Sequence, residues 1–374
     1  MINKERAISE FIELVSVPCQ SLYERQEADM IIKKMQELGL EVKVDEANKQ
    51  YNSTTGNVWG FLQGNKQGAK RLLFAAHMDS VAPTTGTKVV RKDGILYSDG
   101  TTTLGGDDKV GIEACLEAIR VLKEDNIPHG DIQILCTIGE EIGCRGGRAI
   151  NPSWLKADYG YCLDQSGAVG TIYNYSPQAT LLTFKIKGRA AHAGSAPEQG
   201  INAIMLAAEG LSALPWYGRL DEYTTLSIGT IKGGAATNIV PEDCEFSIDM
   251  RCPDVKKLEN LKDSTIEIIR QKVEAGNGKL EVKEFVLGPA VFVQDDDASA
   301  QLSAKAASNM GLKPHFAFSG GITDANHLCG FGLTTICLGV GMTKIHTTEE
   351  QLSEKDLIDT TRWVIEIIKE AARV

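Results

Sequence analysis

The sequence predicts an open α/β fold with a mostly parallel sheet, interrupted by a smaller inserted α+β domain. The 374 residues exceed what one core of ordinary size needs, so we expect two domains. Near-continuous apolar runs at 71–76, 132–138 and 159–163 alternate with helical patterns, as buried parallel strands do. Between about 179 and 288 the pattern changes to β-α-β-β-α-β, the order of a split βαβ unit.

This change of pattern sets the predicted domain boundaries. Residues 1–177 and 289–374 are expected to form the larger domain, because helix–strand alternation resumes beyond the β-α-β-β-α-β segment and ends in an amphipathic helix. Residues 178–288 are expected to form the inserted domain. Within the larger domain, a Thr/Gly-rich loop is predicted to follow the first buried strand and to lead into a helix that starts near Asp107.

Charge and composition narrow the function. A formal net charge of −11 and an isoelectric point near 5.2 argue against binding to nucleic acid or to an anionic membrane. The mixed charges of residues 1–6 predict neither a signal peptide nor a membrane helix, so we expect a cytoplasmic protein acting on small molecules or peptides. The nine cysteines form no C-x-x-C pair and mostly lie in apolar runs, which predicts reduced, buried thiols.

Histidines and carboxylates follow the predicted strands where the strands end. In an open α/β sheet the carboxyl ends of the strands share one edge, so we expect these side chains to converge. Two further residues join them, one at the start of a helix and one between the last strand and the terminal helix. The side chains concerned are His77, Asp79, Asp107, Glu140, Glu141, Asp164 and His346.

Each of these residues also has an ordinary structural explanation. A single histidine after a strand usually forms a hydrogen bond within its loop, and paired acids at a helix N-terminus usually act as caps. Together, however, two histidines and several carboxylates can hold two metal ions, with one carboxylate as a bridge. Such mixed ligands suit Zn²⁺, with Mn²⁺ or Co²⁺ as substitutes, and paired ions activate water for the hydrolysis of a peptide bond.

Five motifs, in order along nearly the whole chain, are similar to those of one known family. They are His77-Met78-Asp79, Gly105-Gly106-Asp107-Asp108-Lys109, Gly139-Glu140-Glu141-Ile142-Gly143, Asp164 and His346. On these motifs the chain resembles the M20 family of co-catalytic metallopeptidases, closest to its peptidase T branch of tripeptidases. The resemblance implies an α/β catalytic domain with an inserted lid domain.

The resemblance also implies a set of metal ligands. His77, Asp107 and Asp164 would hold one ion, and Asp107, Glu141 and His346 would hold the other. Asp107 would therefore bridge the two ions. An aspartate rather than a glutamate at position 164 favours peptidases of the tripeptidase and dipeptidase kind over the carboxypeptidase and deacylase relatives, which carry glutamate there.

Further roles follow from the same resemblance. Glu140 would be the general base, while the side chain of the adjacent Glu141 would point to the metal. Asp79 would accept a hydrogen bond from the ring of His77 and fix its tautomer. The peptide bond between Asp107 and Asp108 would be cis, as is common in the family.

The inserted domain supplies residues that resemble those of the family's lid. His192, in the segment Gly188–Gly194, would donate to the oxyanion of the tetrahedral intermediate. Asn238 and Arg251 would contact the substrate, although a surface ion pair is an equal alternative for Arg251. Gly320 and Gly321, in the larger domain, would let backbone N–H groups approach the substrate closely.

These implications predict a di-zinc aminopeptidase that removes the N-terminal residue of short peptides, above all tripeptides. One alternative is an amidohydrolase or carboxypeptidase of the same fold acting on N-acyl amino acids. Another is a metal- or peptide-binding protein without turnover, while a purely structural zinc site is disfavoured because such sites are usually rich in cysteine. A homodimer through the lid domain stays open, as does the question of which chain's His192 completes each site.

Overall fold

The computed structural model describes residues 1–373, which divide into two compact units. The larger unit comprises Met1–Tyr175 together with the chain from Val291 onwards, and the inserted unit comprises Ser176–Ala290. Each is described by itself below. No helix in the described part of the chain has both the length and the apolar character that a membrane span requires.

The larger unit alternates helices and strands along the sequence. Its helices are α1 Lys4–Val15, α2 Arg25–Glu37, α3 Ala47–Tyr51, α4 Gly106–Glu124, α5 Arg145–Ala149, α8 Ala298–Asn309, α9 Asp324–Gly330 and α10 Glu354–Ala371. Its strands are β1 Glu41–Val44, β2 Val58–Leu62, β3 Leu72–His77, β4 Val89–Lys92, β5 Ile95–Ser98, β6 Ile132–Thr137, β7 Tyr159–Gln165, β8 Thr171–Ser176, β14 Val291–Phe292, β15 His315–Phe318, β16 Thr335–Gly339 and β17 Gln351–Ser353.

The main sheet of this unit has the strand order β1-β2-β6-β3-β7-β16-β8-β14, with β15 paired to β8. The four central strands β6, β3, β7 and β16 are parallel to one another, whereas β1, β2 and β8 pair antiparallel. Strands β3, β6 and β16 are buried along their whole length, as their apolar sequences predict. The predicted open, mostly parallel sheet is confirmed.

Helix α4 packs on strands β3 and β7 of this sheet, α10 packs on α4 and α8, and large side chains are buried in this core. Phe74 on β3 stacks on Tyr161 on β7 with 5.7 Å between ring centroids. Trp363 on α10 is buried, and its indole N–H donates to the carbonyl of Ser303 at 2.9 Å. This core fixes the strand ends, and therefore the residues that follow them.

Part of the predicted Thr/Gly-rich loop is instead a small β-hairpin. Strands β4 and β5 pair antiparallel, and β17 extends them to a three-stranded sheet. Asp93 and Gly94 form the turn with φ angles of 53° and 76°, the left-handed conformation that a tight hairpin turn requires. The Asp-Gly pair between apolar strands is a hairpin pattern that the sequence prediction missed.

The inserted unit is an antiparallel sheet packed against two helices. The order of the sheet is β10-β11-β12-β9-β13, and Phe184 stacks on Phe246 across two of its strands with 4.8 Å between ring centroids. The elements are β9 Gln178–Lys187, α6 Ala203–Ser212, β10 Gly218–Arg219, β11 Thr225–Gly233, β12 Asp243–Cys252, α7 Val255–Ala275 and β13 Lys279–Gly288.

Glu27 on α2 is a fully buried carboxyl group, and neither of its oxygens has a hydrogen-bond partner among residues 1–373. Burial raises the pKa of Glu27 to about 8, against the opposing charges of Lys109 and Lys34. In the unfolded chain a glutamate ionises near about 4.3. The stability linked to Glu27 is therefore fully present below the unfolded pKa and is lost as pH rises through about 8.

We therefore expect Glu27→Gln to stabilise the protein at high pH, because glutamine stays neutral. Its gain in free energy of unfolding over the wild type should grow by roughly 2–4 kcal/mol between about pH 5 and about pH 9. Urea unfolding at both pH values measures this gain. Glu37→Gln at the exposed end of the same helix should leave the pH dependence unchanged. An equal gain for Glu27→Gln at both pH values would contradict the assignment.

Candidate active site

The first histidine lies at the end of β3 and faces two carboxylates. His77 is buried, and its Nε2 lies 3.1 Å from Oδ1 of Asp107 and 3.8 Å from Oδ1 of Asp164. Asp164 is near the end of β7, the strand beside β3, while Asp107 opens α4. The three side chains converge because β3 and β7 are parallel and end at the same edge of the sheet.

The second histidine follows β16 and faces the same aspartate from another direction. His346 Nε2 lies 3.2 Å from Oδ2 of Asp107 and 3.0 Å from Oε2 of Glu141. Asp107 thus presents one carboxylate oxygen to each of the two histidines. The peptide bond between Asp107 and Asp108 is cis, as the family resemblance implied.

Asp79 contacts both the ring of His77 and the loop that carries the two glutamates. Nδ1 of His77 lies 2.9 Å from the main-chain oxygen of Asp79 but 3.5 Å from its carboxylate, so the closer contact to the ring is the carbonyl. The carboxylate instead accepts from the backbone N–H groups of Glu140 and Glu141 at 2.9 and 3.2 Å, and from the Ser21 hydroxyl at 2.6 Å. With three donors already in place, this carboxylate mainly fixes the loop that carries the glutamates.

Glu140 and Glu141 lie in a tight turn after β6. The backbone N–H groups of Gly143 and Cys144 both donate to the Glu140 carbonyl, at 2.9 and 2.8 Å. Gly139 and Gly143, which flank the glutamates, both have positive φ, which glycine adopts without strain. The thiol of Cys144 lies 3.1 Å from Oε1 of Glu140 and donates to it.

The pKa of Glu140 suits proton transfer. Burial, reinforced by the charges of Asp324 and Glu141, outweighs the opposing effect of His77 and raises the pKa of Glu140 to about 8. A carboxyl group whose pKa lies near neutrality can both accept and release a proton efficiently. Asp324, at the start of α9, is buried and accepts from the Thr137 hydroxyl, so it is part of the interior rather than an exposed turn.

The two histidines lie in a strongly negative environment. Burial alone would lower the pKa of His77, but hydrogen bonding to Asp107 and Asp79 holds it well above its ordinary value. Hydrogen bonds with Asp107 and Glu141 raise the pKa of His346 to about 10. Burial would raise the pKa of Asp107, but hydrogen bonds with both rings hold it below its ordinary value. The charge that favours protons on these rings would equally favour a bound cation.

The donor set fits metal ions. His77, Asp107 and Glu141 place one potential ligand atom each within 4.8 Å of the others, and so do His77, Glu140 and Asp164. Within the described chain, Oε1 of Glu141 is buried without a hydrogen-bond partner. A buried, unpaired carboxylate oxygen is costly, and a cation would compensate it. Imidazole and carboxylate are the ligands of zinc and of related divalent ions.

Two of the predicted substrate residues are neighbours in the inserted unit. His192 and Ile239 form an antiparallel bridge, and the N–H of Ala193 donates to the carbonyl of Asn238 at 3.0 Å. The backbone N–H groups of Gly194 and Ser195 both donate to Nδ1 of His192, at 3.1 and 3.2 Å. Nδ1 is therefore an acceptor, and the ring proton of neutral His192 lies on Nε2.

Arg251 lies at the end of β12 in the same unit. Asp249 holds its guanidinium through Nε and Nη2, at 2.8 and 3.2 Å. In the larger unit, Gly320 lies in an exposed loop, and a Cβ built on it would meet no atom within 4 Å. The N–H of Gly321 donates to the Ser319 hydroxyl at 3.2 Å.

Several side chains that the sequence prediction did not single out contact these residues, and three of them lie around the proposed metal ligands. They are Ser21, Cys144 and Glu350. Cys144 follows Glu140 by four residues in one turn, so its proximity was open to prediction. Ser21 is 58 residues from its partner Asp79, and Glu350 is 243 residues from Asp107, so no local pattern indicated either contact.

Family models match two parts of the chain. The model of the M20 peptidase dimerisation domain matches residues 179–277, almost the whole of the inserted unit. The model of peptidase family M28 matches residues 57–209. Both models describe peptidases, and relatives that span the full length of the chain decide between the families.

Two solved structures match nearly the whole chain. An aminopeptidase PepT from Bacillus cereus is 38% identical with a TM-score of 0.94, and the match covers 99% of both chains. A tripeptidase from Staphylococcus aureus is 37% identical with a TM-score of 0.95, and the match covers 100% of both chains. The chain belongs to the M20 family of metallopeptidases. Its full-length likeness to an aminopeptidase and to a tripeptidase shows that it is a peptidase, and therefore a hydrolase.

The M20 fold extends to more distant structures. A dinuclear metal-binding peptidase of the M20 family from Bacillus subtilis is 17% identical, with a TM-score of 0.75 over 98% of this chain and 97% of that one. This likeness concerns the fold alone. The full-length matches at higher identity, together with the candidate metal site, identify this chain as an M20 metallopeptidase acting on short peptides.

Proposed function

We propose that the chain is a di-zinc aminopeptidase that removes the N-terminal residue from short peptides, above all tripeptides. The observation that carries the proposal is the position of Asp107, which presents one oxygen to His77 and the other to His346. A carboxylate in this position is suited to bridge two ions. The full-length likeness to an aminopeptidase and to a tripeptidase supports this choice of substrate.

In this proposal His77, Asp107 and Asp164 would hold one Zn²⁺, and Asp107, Glu141 and His346 would hold the other. Mn²⁺ or Co²⁺ would be substitutes, since the ligands are nitrogen and oxygen atoms. When bound, the ions supply Lewis-acid chemistry that lowers the pKa of water and polarises the scissile carbonyl.

Glu140 transfers the proton. It accepts a proton from the attacking water as the oxygen adds to the scissile carbonyl, and then delivers that proton to the nitrogen of the leaving amine. The Cys144 thiol holds one of its carboxylate oxygens, which leaves the other free for this transfer. Asp79 fixes the position of Glu140 through the backbone N–H group of Glu140.

His192 donates to the oxyanion. Because Gly194 and Ser195 hold Nδ1 as an acceptor, Nε2–H is the donor that His192 offers to the developing negative charge. Asn238 and Arg251 bind the carbonyl and carboxylate groups of the peptide, with the guanidinium oriented by Asp249.

Other parts of the chain serve binding and assembly. Gly320 and Gly321 lie in a loop that would contact the peptide through its main chain, where glycines allow close approach. Residues 178–288 act as a lid and as the surface of a homodimer, as the match to a peptidase dimerisation domain suggests. In such a dimer His192 would serve either its own chain or the partner chain.

A substrate panel tests the proposal. Protein loaded with Zn²⁺ should release the first residue from free tripeptides and cleave their N-acetylated forms at least about 10²-fold more slowly, because acetylation removes the charged amine by which an aminopeptidase distinguishes its substrates. Di- and tetrapeptides of matched sequence measure the length preference. Cleavage of N-acyl amino acids without cleavage of free peptides would contradict the proposal and favour the amidohydrolase alternative.

A further inference from the structure

Glu350 is a buried carboxylate that contacts the backbone of the segment from Gly105 to Asp107, which carries the proposed bridging ligand. It lies in the turn between His346 and β17, and only 2% of the residue is exposed. Its Oε2 accepts from the backbone N–H of Gly105 at 2.8 Å, and its Oε1 accepts from the backbone N–H of Asp107 at 3.0 Å. Both oxygens thus hold the segment that carries Asp107.

The other side of the Asp107 backbone is also held. The Ser80 hydroxyl donates to the carbonyl of Asp107 at 3.2 Å. The ammonium group of Lys109 donates to that hydroxyl oxygen at 2.7 Å and also to the carbonyl of Met78. With its N–H and its carbonyl both held, the main chain of Asp107 has little freedom to rotate, and its side chain is aimed by its surroundings.

Glu350 also joins two loops that are far apart in sequence. Its own N–H donates to the carbonyl of Thr347 at 3.2 Å, which ties it to the turn that starts at His346. One side chain therefore connects the backbone of Asp107 with the turn that positions His346. Nε2 of His346 and Oδ2 of Asp107 lie 3.2 Å apart in the site.

We propose that Glu350 is a positioning residue of the metal centre, which sets the orientation of Asp107 relative to His346 and thereby the affinity for metal. It acts on the backbone of Asp107 and does not itself ligate an ion. The inference rests on the proposed function, in which Asp107 bridges two ions. A carboxylate is suited to this role because both of its oxygens accept, whereas an amide would place an NH₂ group against a backbone N–H.

The test is metal binding by Glu350→Gln. Titration of the metal-free protein with Zn²⁺ alone, in competition with a chromogenic chelator, should show affinity lower by about 10–100-fold, the usual effect of removing a residue that orients a ligand. Glu349→Gln is the matched control, because Glu349 is the adjacent residue, its side chain is 73% exposed and its carboxylate pairs with Lys344 at the surface. Zn²⁺ affinity of Glu350→Gln equal to that of Glu349→Gln would overturn the inference.

A second variant covers the case in which Glu350→Gln does not fold. Glu350→Asp keeps the charge but shortens the side chain, so it also should bind Zn²⁺ more weakly than Glu349→Gln, and equal affinity would again overturn the inference. Thermal melting of the metal-free proteins shows whether each variant is folded at the temperature of the titration. If the wild type itself binds no Zn²⁺, the proposed function fails, whereas normal binding by every variant refutes only the role of Glu350.

Discussion

Glu140→Gln is expected to lower kcat for a tripeptide by about 10²–10⁴-fold, the usual contribution of general acid–base catalysis. Glutamine keeps the shape of the side chain and can still accept from the Cys144 thiol, but it cannot take up a proton from water. KM should change little, because Glu140 in this account moves a proton and does not bind the peptide. Steady-state kinetics on the Zn²⁺-loaded variant measure both constants.

Metal content and stability provide the controls for this variant. Glu140→Gln should bind as much Zn²⁺ as the wild type, since the proposed ligands do not include Glu140. Glu349→Gln, which removes a charge from an exposed position, should retain wild-type kcat. A kcat for Glu140→Gln within about 3-fold of the wild type would exclude Glu140 as the general base, because loss of a base costs at least about 10²-fold.

Asp107→Asn is expected to reduce binding at both metal positions, whereas His346→Ala should affect mainly one. The carboxylate of Asp107 faces both histidines, with 3.1 and 3.2 Å between the closest atoms. An asparagine offers one oxygen where the proposed bridge needs two. Loss of a residue that only orients a metal ligand lowers metal affinity by about 10–100-fold. Because Asp107 is itself a proposed ligand, we expect a larger fall in Zn²⁺ affinity, with activity lost in parallel. Metal analysis after dialysis against a chelator-treated buffer measures the content of each variant.

Asp108→Asn is the matched control for Asp107→Asn. Burial raises the pKa of Asp108 well above its ordinary value, which favours the neutral carboxyl that an amide resembles. Its Oδ1 accepts from the N–H of Gly111 at 3.2 Å, a contact that asparagine can keep. Full Zn²⁺ content in Asp107→Asn, or an equal loss in both variants, would contradict the bridging role.

The fold could be predicted from the sequence because burial of a strand on both faces requires an almost wholly apolar run of residues. Strands such as β3 and β6 are buried on both faces, so their sequences are almost wholly apolar and stand out. Parallel strands also end at one edge, which made it possible to expect that residues after separate strands would meet. Nε2 of His77 and Oδ1 of Asp164 lie 3.8 Å apart, although the two residues are 87 positions apart in the sequence.

Hydrogen bonds within loops were beyond sequence reasoning. Asp79 illustrates this, because it contacts the ring of His77 as expected but more closely through its carbonyl, while its carboxylate also accepts from two backbone N–H groups and the Ser21 hydroxyl. Which acceptor reaches the ring is decided by differences of less than 1 Å between main-chain and side-chain oxygens. No residue pattern encodes such differences.

Buried polar residues of the interior were missed for a related reason. Glu27 lies on a helix whose apolar stripe predicted a core, but a glutamate between apolar positions is usually exposed, and the structure buries it completely. Glu350 follows an exposed Glu349, and the sequence alone gave no reason to distinguish the two carboxylates. Only the geometry of the loop determines that Glu350 is buried and accepts from backbone N–H groups, while Glu349 is exposed to solvent.

The central claim is that this M20 metallopeptidase removes the first residue of short peptides by metal-dependent hydrolysis. Mass spectrometry of a free tripeptide with three different residues, incubated with the Zn²⁺-loaded protein and with the chelated protein, tests it most directly. We predict one N-terminal amino acid and the complementary dipeptide from the loaded protein, and intact tripeptide from the chelated one. Release of the C-terminal residue, or no cleavage by the loaded protein, would contradict the claim.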